Sequence, residues 1–428
     1  MGWNEPNPSL NRVMKVRASS APSALRILVV GAGVAGLSLA RGLLRDGHDV
    51  TVFERRPQLQ PGGGAVTIWS NGATVLGQLG VDMVGVGQSL SEVQVTTSTG
   101  RPLATLDLTA MARGLGAPVR MVPRRVLLER LLDDFPAERI RFNARAVGVS
   151  ATDGEARVDF DDGSSVSGDV LIGADGLHSR VRELSDSPPA TPTGWSSWQG
   201  LVSLPDVVAD KRVALMMVGR HGNLGLWPAG GCELQWWFDL PWSPDFVRPP
   251  SPIDMIRRQF AGWSTPVDRV LAALTDDDLA GSPYPHFRHR SPGAGRGVLT
   301  LIGDASHTMP PTMAQGTNQA LLDTMVLCRV LGDLRPAPSP DDLARALRRY
   351  ENTRRRKVAA VSRVTALQLS HSELVLRPAS FIPDRVHTWG LTMFLRWVSH
   401  HRMSAEISRG LGPVDVGRTA GQTTDHGH

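Results

Sequence analysis

The sequence predicts an α/β protein with more than one domain, and three observations support this fold class. The apolar run 26–30 leads directly into a glycine-rich turn, which a helix and a second strand follow. Similar apolar runs at 170–172 and 298–302 each lead into another glycine. The stretch between them, from about 185 to 290, differs because it is rich in Pro and Trp. We therefore expect a discontinuous α/β domain with a mixed or antiparallel β-sheet domain inserted into it.

Length and composition restrict the class of protein. A chain of 428 residues is longer than one hydrophobic core usually serves. It is 41% hydrophobic and 20% charged and has no long apolar run, which excludes a disordered chain, a collagen-like fibre and a membrane span. The two cysteines, Cys232 and Cys328, are too few for a disulfide framework or a cysteine-based metal site, and residues 1–24 lack the apolar core of a signal peptide. We therefore expect a cytoplasmic protein.

The other elements follow along the chain. Apolar residues between 37 and 44 recur at helical spacing, and the strand after them ends at Glu54. A helix is expected from about Arg124 to Asp134, and Asp161-Asp162-Gly163 is typical of a hairpin turn. Strand-like runs at 213–218 and 234–238 belong to the inserted stretch, and a long helix is expected to begin near Thr317.

These patterns predict a division of the chain into five parts. They are a flexible arm (1–24), the discontinuous α/β domain (25–184 and 290–370), the inserted sheet domain (185–289), a C-terminal helical segment (371–411) and a tail (412–428).

Basic residues exceed acidic ones by five, and much of this excess lies between 345 and 357. Apolar residues at helical spacing accompany these basic positions, which indicates an amphipathic helix with a solvated basic face. No recognition motif for nucleic acid accompanies the helix, so we expect no nucleic-acid partner.

Gly31, Gly33 and Gly36 form a G-x-G-x-x-G motif between the first strand and the first helix. In this context the first glycine allows a tight turn, the second lets a pyrophosphate approach the backbone, and the third lets helix and strand pack closely. Glu54 follows Gly36 by 18 residues, at the position where a carboxylate binds an adenosine ribose. The unit predicts a Rossmann-like dinucleotide site rather than a structural turn alone, and it leaves NAD and FAD as alternatives.

Two later segments discriminate between these cofactors. Residues 173–182 (GADGLHSRVR) and 303–318 (from GDASHTMPP to QGTN) resemble the corresponding motifs of single-component, or group A, FAD-dependent monooxygenases. Residues 66–80 and the helix that begins at Arg124 are also similar to that family, and the resemblance extends from about Leu25 to Arg363. It implies the fold of p-hydroxybenzoate hydroxylase: a Rossmann-like FAD-binding domain, an inserted β-sheet domain for the substrate, and C-terminal helices.

The resemblance also implies a tightly but non-covalently bound FAD. Asp304 would hold a ribityl hydroxyl, and N–H groups at the start of the helix near Gly316 would face the flavin N1 and O2. For Arg182, a cofactor contact and a surface salt bridge are alternatives. No second glycine motif follows a strand, so NAD(P)H is expected as a transient co-substrate. The cofactor-binding residues implied are Gly31, Gly33, Ala35, Gly36, Glu54, Arg55, Arg124, Asp175, Asp304, Pro311, Gly316, Thr317 and Asn318.

The activity implied is a monooxygenase reaction. NAD(P)H reduces the flavin, O₂ adds at flavin C4a, and the resulting hydroperoxide hydroxylates or epoxidises a small-molecule substrate. This chemistry requires no metal, and none is expected. A non-redox cyclase that keeps FAD on the same scaffold is the alternative function.

Seven of the 11 tryptophans lie between 195 and 263, inside the expected substrate domain. Large rings concentrated there predict a broad pocket for a bulky apolar molecule, aromatic or polycyclic. Gln199, Arg220, His221 and Trp227 are pocket candidates by position alone, and a packing or surface role is an equal alternative for each. The sequence identifies no catalytic base.

Near the C-terminus, apolar residues recur at helical spacing, at Val386, Trp389, Met393, Phe394, Trp397 and Val398. Charged residues interrupt this stretch, which favours a helix packed across the two domains over a membrane anchor. The protein is expected to be a monomer or a homodimer.

Overall fold

The computed structural model describes residues 24–399, apart from 61, 153, 205–206, 208–209 and 368–375. Residues 1–23 of the predicted arm, the predicted tail, and parts of the predicted C-terminal helical segment lie outside the described residues. None of the helices within the described residues is both long enough and apolar enough to cross a membrane.

A five-stranded parallel sheet forms the centre of the first domain. Its strands are β1 (Arg26–Val30), β2 (Asp49–Phe53), β8 (Ile140–Arg141), β12 (Val170–Gly173) and β18 (Leu299–Leu301), in the spatial order β18-β12-β1-β2-β8. The central strands are continuously apolar because both faces of the sheet are buried, against helices and against a small antiparallel sheet. The predicted Rossmann-like domain is confirmed.

Two small antiparallel sheets flank this centre. One contains β9 (Ala146–Thr152), β10 (Glu155–Phe160) and β11 (Ser165–Gly168), and the predicted turn at residues 161–163 connects its last two strands. The other contains β3 (Ala65–Ile68), β4 (Gln88–Ser89) and β7 (Arg120–Pro123).

A seven-stranded sheet forms the second layer, in the order β17-β13-β16-β15-β14-β5-β6. Its strands are β5 (Glu92–Thr97), β6 (Pro102–Asp107), β13 (Thr191–Ser203), β14 (Val213–Gly219), β15 (Gly222–Gly230), β16 (Glu233–Pro241) and β17 (Tyr284–Arg288). All neighbours pair antiparallel except β14 and β5, so the sheet is mixed, as predicted. Residues 185–289 supply five of its strands. The other two, β5 and β6, come from the range assigned to the first domain, so the predicted division of the chain omitted them.

The helices of the described residues are, in chain order, α1 (Val34–Arg45), α2 (Ser70–Gln78), α3 (Leu108–Leu115), α4 (Arg124–Leu132), α5 (Arg180–Leu184), α6 (Pro252–Gln259), α7 (Thr265–Ala273), α8 (Gly303–His307), α9 (Gly316–Gly332), α10 (Pro340–Ala366) and α11 (Asp384–Val398). Short 3₁₀ turns occupy 137–139, 311–313 and 377–381.

Hydrophobic residues collect in three cores. The largest surrounds the parallel sheet and helices α1, α9 and α10. A second lies between one face of the seven-stranded sheet and helices α6 and α7, and contains Trp198, Trp236 and Phe260. A third lies on the other face, where Trp69, Trp227 and Leu395 pack together. This third core joins the two domains and borders the candidate site.

Helix α10 confirms the amphipathic helix expected there. Ser339 begins it with a capping box, since its hydroxyl accepts from the Asp342 N–H and the Asp342 carboxylate accepts from the Ser339 N–H. The expectation of a solvated basic face is wrong at Arg354, which is 3% exposed. Its guanidinium is buried because it donates to the Asp323 carboxylate at 2.7 Å.

Helix α11 contacts β6, α3 and α10, and so bridges the two domains as predicted. Its buried side matches the expected one in part: Val398 and Phe394 pack as expected, and Thr388, Thr392 and Leu395 are buried as well. Of the residues expected to pack, Trp389 and Trp397 are 64% and 52% exposed. The helix therefore docks through a face that is shifted toward Thr388, Thr392 and Leu395.

The docking of α11 can be tested at Leu395, which is fully buried in the third core. Leu395→Ala leaves a cavity between the domains and should lower the free energy of unfolding by about 2–5 kcal/mol. Urea denaturation measures the loss. Trp389→Ala on the exposed side of the same helix is the control and should change stability by about 0.5 kcal/mol or less. Equal effects of the two substitutions would show that α11 is not docked as described.

Candidate active site

The three glycines of the first motif differ in what surrounds them. Gly31 has a φ of +109°, and a Cβ there would lie 2.4 Å from the Ala174 carbonyl oxygen. A Cβ on Gly36 would lie 1.9 Å from the Gly31 carbonyl oxygen. No atom lies within 4 Å of a Cβ placed on Gly33. The first and third glycines thus permit close packing, and the second leaves open space at the start of α1, as a bound pyrophosphate requires.

A cavity of about 400 Å³ opens beside this motif. Glu54 lies on its wall, where its two carboxylate oxygens accept hydrogen bonds from the Ala32 and Arg56 N–H groups at 3.1 and 3.0 Å. These bonds fix the carboxylate at the end of β2, as the ribose of a dinucleotide needs. Gly31, Gly33, Glu54, Arg55 and Asp175 all line the cavity, so the structure brings these predicted cofactor residues together.

The second motif is built around Asp175. Its carboxylate accepts hydrogen bonds from the Arg180 and Val181 N–H groups at 2.7 and 3.1 Å and from the Ser179 hydroxyl. Burial raises the pKa of Asp175, although these hydrogen bonds counteract the shift. The residue therefore caps α5 in addition to lining the smaller cavity.

Arg182 fits neither alternative proposed for it. It is 3% exposed, and its guanidinium donates to the backbone carbonyl oxygens of Pro188, Ala305 and Ser306. Burial lowers its pKa to about 10, so it stays charged at neutral pH. The side chain ties the second motif to α8, which begins the third motif.

A larger cavity of about 690 Å³ lies between the two domains. On the side of the Rossmann-like domain it is lined by Arg124, Asp304, Pro311, Gly316 and Thr317, all predicted cofactor residues. His178 lines both cavities, so the two adjoin. The residues that line the two adjoining cavities fit an elongated dinucleotide, with its adenosine in the smaller cavity and its flavin in the larger one.

Arg124 and Asp304 are close enough to interact electrostatically across the larger cavity. The guanidinium of Arg124 lines the cavity; desolvation lowers its pKa, while the charge of Asp304 acts in the opposite direction. The Asp304 carboxylate lies beside the N-terminus of α9, since a Cβ on Gly316 would be 3.8 Å from its Oδ1. The first N–H groups of α9 have no partner within the helix and are available to an anionic ligand.

Two predicted cofactor residues hold the site together rather than line it. The Asn318 side chain accepts from the Trp69 N–H at 2.9 Å and donates to the carbonyl oxygens of Thr67 and Ala314. It therefore fastens the start of α9 to β3 and α2. Ala35 packs under α8, because a Cβ on Gly303 would lie 2.9 Å from its own. The side chains of Asn318 and Ala35 line neither cavity, and their assignment as cofactor-binding residues stays a prediction.

The seven-stranded sheet forms the opposite wall of the larger cavity. Cross-strand pairing places Val95, Met216, Gly225, Trp237 and Gln199 in one row across five strands. A Cβ on Gly225 would lie 2.0 Å from the Trp237 ring, so the indole lies flat across the glycine. The row provides an apolar and aromatic floor with the Gln199 amide at one end.

Two of the four pocket candidates line the larger cavity and two do not. Gln199 and Trp227 line the larger cavity. Arg220 and His221 occupy the exposed turn between β14 and β15 and line neither cavity, which corrects their assignment to the pocket. Their position in a turn was not visible without the strand pairing.

The tryptophan cluster, meaning the tryptophans between 195 and 263, is divided between the two faces of the seven-stranded sheet. Trp227 and Trp237 line the cavity, whereas Trp198 and Trp236 belong to the core on the other face. Trp69, outside the cluster, also lines the cavity. Sequence reasoning missed several further lining residues: Ser197, Gln235, Asp239, Tyr284 and His286.

A buried polar network supports the third motif. The Asp323 carboxylate on α9 accepts from the Gly303 N–H at 2.9 Å, from His307 Nε2 at 2.6 Å and from Arg354 Nε at 2.7 Å. Burial alone would raise the pKa of Asp323, but His307 and Arg354 outweigh it and hold the pKa well below the usual carboxyl range. One carboxylate thereby holds both ends of α8, the helix that presents Asp304 to the cavity.

The open space at Gly33 gives a test of the dinucleotide site. Gly33→Ala should fold normally, because its Cβ meets no protein atom, and should weaken FAD binding by about tenfold or more through contact with the pyrophosphate. Reconstitution of the apoprotein with FAD measures the affinity. Gly77→Ala, also without neighbours and on the exposed side of α2, is the matched control. Equal FAD affinity in the two variants would contradict the assignment.

The buried network predicts a large effect at Arg354. Arg354→Met leaves the Asp323 carboxylate buried with one partner fewer and should cost about 3–5 kcal/mol of stability at neutral pH. The control is Arg349→Met, since the Arg349 side chain is 66% exposed where it pairs with Asp333. Urea denaturation distinguishes them, and similar small losses in both would refute the role given to the network.

The FAD binding domain family matches residues 24–365 of the chain. An FAD-dependent urate hydroxylase from Klebsiella pneumoniae is 30% identical over 336 residues, which cover 77% of this chain and 86% of that protein. A 3-amino-4-hydroxybenzoate 2-monooxygenase from Streptomyces platensis is 32% identical over 361 residues, which cover 79% of this chain and 86% of that protein.

Solved structures agree in fold. Klebsiella pneumoniae HpxO complexed with FAD and uric acid has a TM-score of 0.78 at 26% identity, covering 87% of this chain and 96% of that one. A salicylate hydroxylase substrate complex has a TM-score of 0.73 at 21% identity and covers 92% and 99%. The match over residues 24–365, together with the two-cavity site, shows that the chain belongs to the FAD binding domain family and is an FAD-dependent monooxygenase of the aromatic hydroxylase group.

Proposed function

We propose that this protein uses NAD(P)H and O₂ to hydroxylate an aromatic small molecule bound against the seven-stranded sheet. One observation carries the proposal. The larger cavity has residues suited to the flavin on one wall and an aromatic floor, with Trp227 and Trp237, on the other. A flat substrate between these walls would present a ring carbon to the flavin.

The cavity lining refines the substrate class. Alongside the apolar floor lie polar side chains at Ser197, Gln199, Asp239, Tyr284 and His286. A ring that carries hydroxyl or N–H groups finds hydrogen-bonding side chains at this wall, which a purely apolar ligand would not use. We therefore favour a polar-substituted aromatic ring over the wholly apolar one expected from the tryptophan content. Two relatives are named for the hydroxylation of such rings, urate and 3-amino-4-hydroxybenzoate.

Bound FAD, once reduced by the nicotinamide, supplies activated oxygen to the substrate. The chain itself binds and orients the reactants. Arg124 and the N-terminus of α9 place positive potential on the flavin side of the cavity, where negative charge develops on the reduced cofactor. The sheet and helix α11 enclose the other side, which excludes water from the reaction.

The experiment is an oxygenation screen with the FAD-loaded protein in air. Urate, 3-amino-4-hydroxybenzoate, simple phenols, indoles and polycyclic phenols are tested for stimulation of NADH and NADPH oxidation. Under ¹⁸O₂ we expect a product that carries one labelled oxygen atom. Clean isomerisation of a substrate without NAD(P)H oxidation would refute the proposal and support the non-redox cyclase instead.

The aromatic floor can be tested with the substrate that the screen identifies. Trp237→Ala removes the ring that covers Gly225, so KM should rise and less product should form per NAD(P)H oxidised. Trp242→Ala, in the same sheet domain but outside the cavity, is the matched control and should leave both quantities unchanged. An unchanged KM in Trp237→Ala would contradict the placement of the substrate.

A further inference from the structure

Three polar residues missed by the sequence analysis meet in the larger cavity. Ser197 on β13 pairs directly with Asp239 on β16, and His286 lies on the neighbouring strand β17. The Ser197 hydroxyl donates to Asp239 Oδ1 and lies 2.7 Å from His286 Nε2. The side chains of His286 and Asp239 are 3% and 7% exposed, and all three residues line the cavity. We call them the Ser197–Asp239–His286 cluster.

Elementary hydrogen-bond chemistry determines which group of the cluster donates and which accepts in each contact. A serine hydroxyl has one hydrogen, which Ser197 gives to the Asp239 carboxylate. His286 Nε2 must therefore carry the hydrogen that it shares with the Ser197 oxygen. Donors run from His286 through Ser197 to Asp239, whose carboxylate can only accept while it is ionised.

The cluster occupies one end of the sheet wall. Along β16, Asp239, Trp237 and Gln235 all face the cavity, and Gln235 accepts from the Ala65 N–H at 2.6 Å. Asp239 is four residues from Gln235, or about 13 Å along the strand. The polar cluster thus lies at the end of the cavity away from the Gln235 contact with β3, with the Trp237 ring between them.

This end of the cavity is also near the cofactor motifs. Phe287, the residue after His286, packs against His178 with ring centroids 6.1 Å apart. His178 belongs to the second motif and lines both cavities. A substrate whose polar group meets the cluster therefore extends over the aromatic floor, within the same cavity as Arg124 and Asp304.

We propose that Asp239, oriented by Ser197 and His286, is the group that binds and accepts the proton of the substrate's hydroxyl or N–H. This inference rests on the proposed function. The substrate O–H or N–H bond breaks, its proton passes to the Asp239 carboxylate, and the electron pair stays on the substrate heteroatom. That pair enriches the ring carbon that takes up oxygen, and the proton returns from Asp239 to the product. Asp239 is then a catalytic residue, and Ser197 and His286 are positioning residues.

The test compares two small probes, phenol and anisole, which differ in a methyl group in place of the hydroxyl hydrogen. Their affinities for the FAD-loaded protein are measured by titration of flavin absorbance and by calorimetry. The unaltered protein should bind phenol about tenfold or more tighter than anisole, as expected for a hydrogen bond to a charged group. Asp239→Asn should reduce this preference to about twofold or less while the affinity for anisole stays the same.

Conservative and control variants separate this role from a structural one. Asp239→Glu keeps the carboxylate and should retain a clear preference for phenol. Ser197→Ala leaves the charge but removes its orientation, and should lose part of the preference. Asp159→Asn makes the same chemical change at a carboxylate that is 42% exposed on β10, and should leave the preference unchanged. The FAD content and melting temperature of each variant report whether it has folded.

The outcomes distinguish the inference from the function on which it rests. If phenol and anisole bind equally to the unaltered protein, if phenol does not bind, or if Asp239→Asn keeps the preference, the inference is wrong even when oxygenation is observed. If no aromatic compound is oxygenated but the preference for phenol depends on Asp239, the proposed function fails and the binding role survives. With a substrate from the oxygenation screen, Asp239→Asn should also lower the product formed per NAD(P)H without slowing flavin reduction.

Discussion

The Asp323 carboxylate is buried at the centre of the contacts that hold the cofactor site in shape. A carboxylate with no exposed surface is stable only if its charge and lone pairs are matched, and here a backbone N–H, an imidazole and a guanidinium match them. Two of these partners are the first and last residues of α8. The orientation of the whole helix therefore depends on their hydrogen bonds to the Asp323 carboxylate. The Asp304 carboxylate, next to Gly303, is placed by the same contacts.

Buried polar contacts extend this arrangement to the other motifs. Arg182 joins the second motif to α8 through backbone carbonyls, and Asn318 joins the start of α9 to β3 and α2. Gly31 and Ala174 join the first motif to the second by close packing. The cofactor site is therefore assembled from segments that are far apart in the chain. Each contact between these segments depends on a buried polar group or on the missing side chain of a glycine, and none depends on an exposed ion pair.

The parts of the site that could be predicted are those whose chemistry is local. The glycines of the first motif lie in one turn, Glu54 directly follows β2, and Asp304 comes three residues after β18, so position along the chain was enough. Trp236 and Trp237 show why the rest could not be predicted: adjacent residues of a strand face opposite sides, and only the pairing shows which side is the cavity. Ser197, Asp239 and His286 meet through three strands, a register that a single sequence does not contain. The sequence could not distinguish the buried Arg354 from its exposed basic neighbours, because nothing nearby in the chain identifies its partner on α9.

The position of the Trp237 ring over Gly225 also bears on how the protein could change its substrate over evolutionary time. The depth of the cavity at that point is set by an absent side chain on one strand and by the ring that lies flat over it from the next. An alanine at 225 would lift the indole and make the chamber shallower without touching the flavin wall or the polar end. Substrate range and cofactor binding are thus separately adjustable, so selection could reshape one while the other is kept.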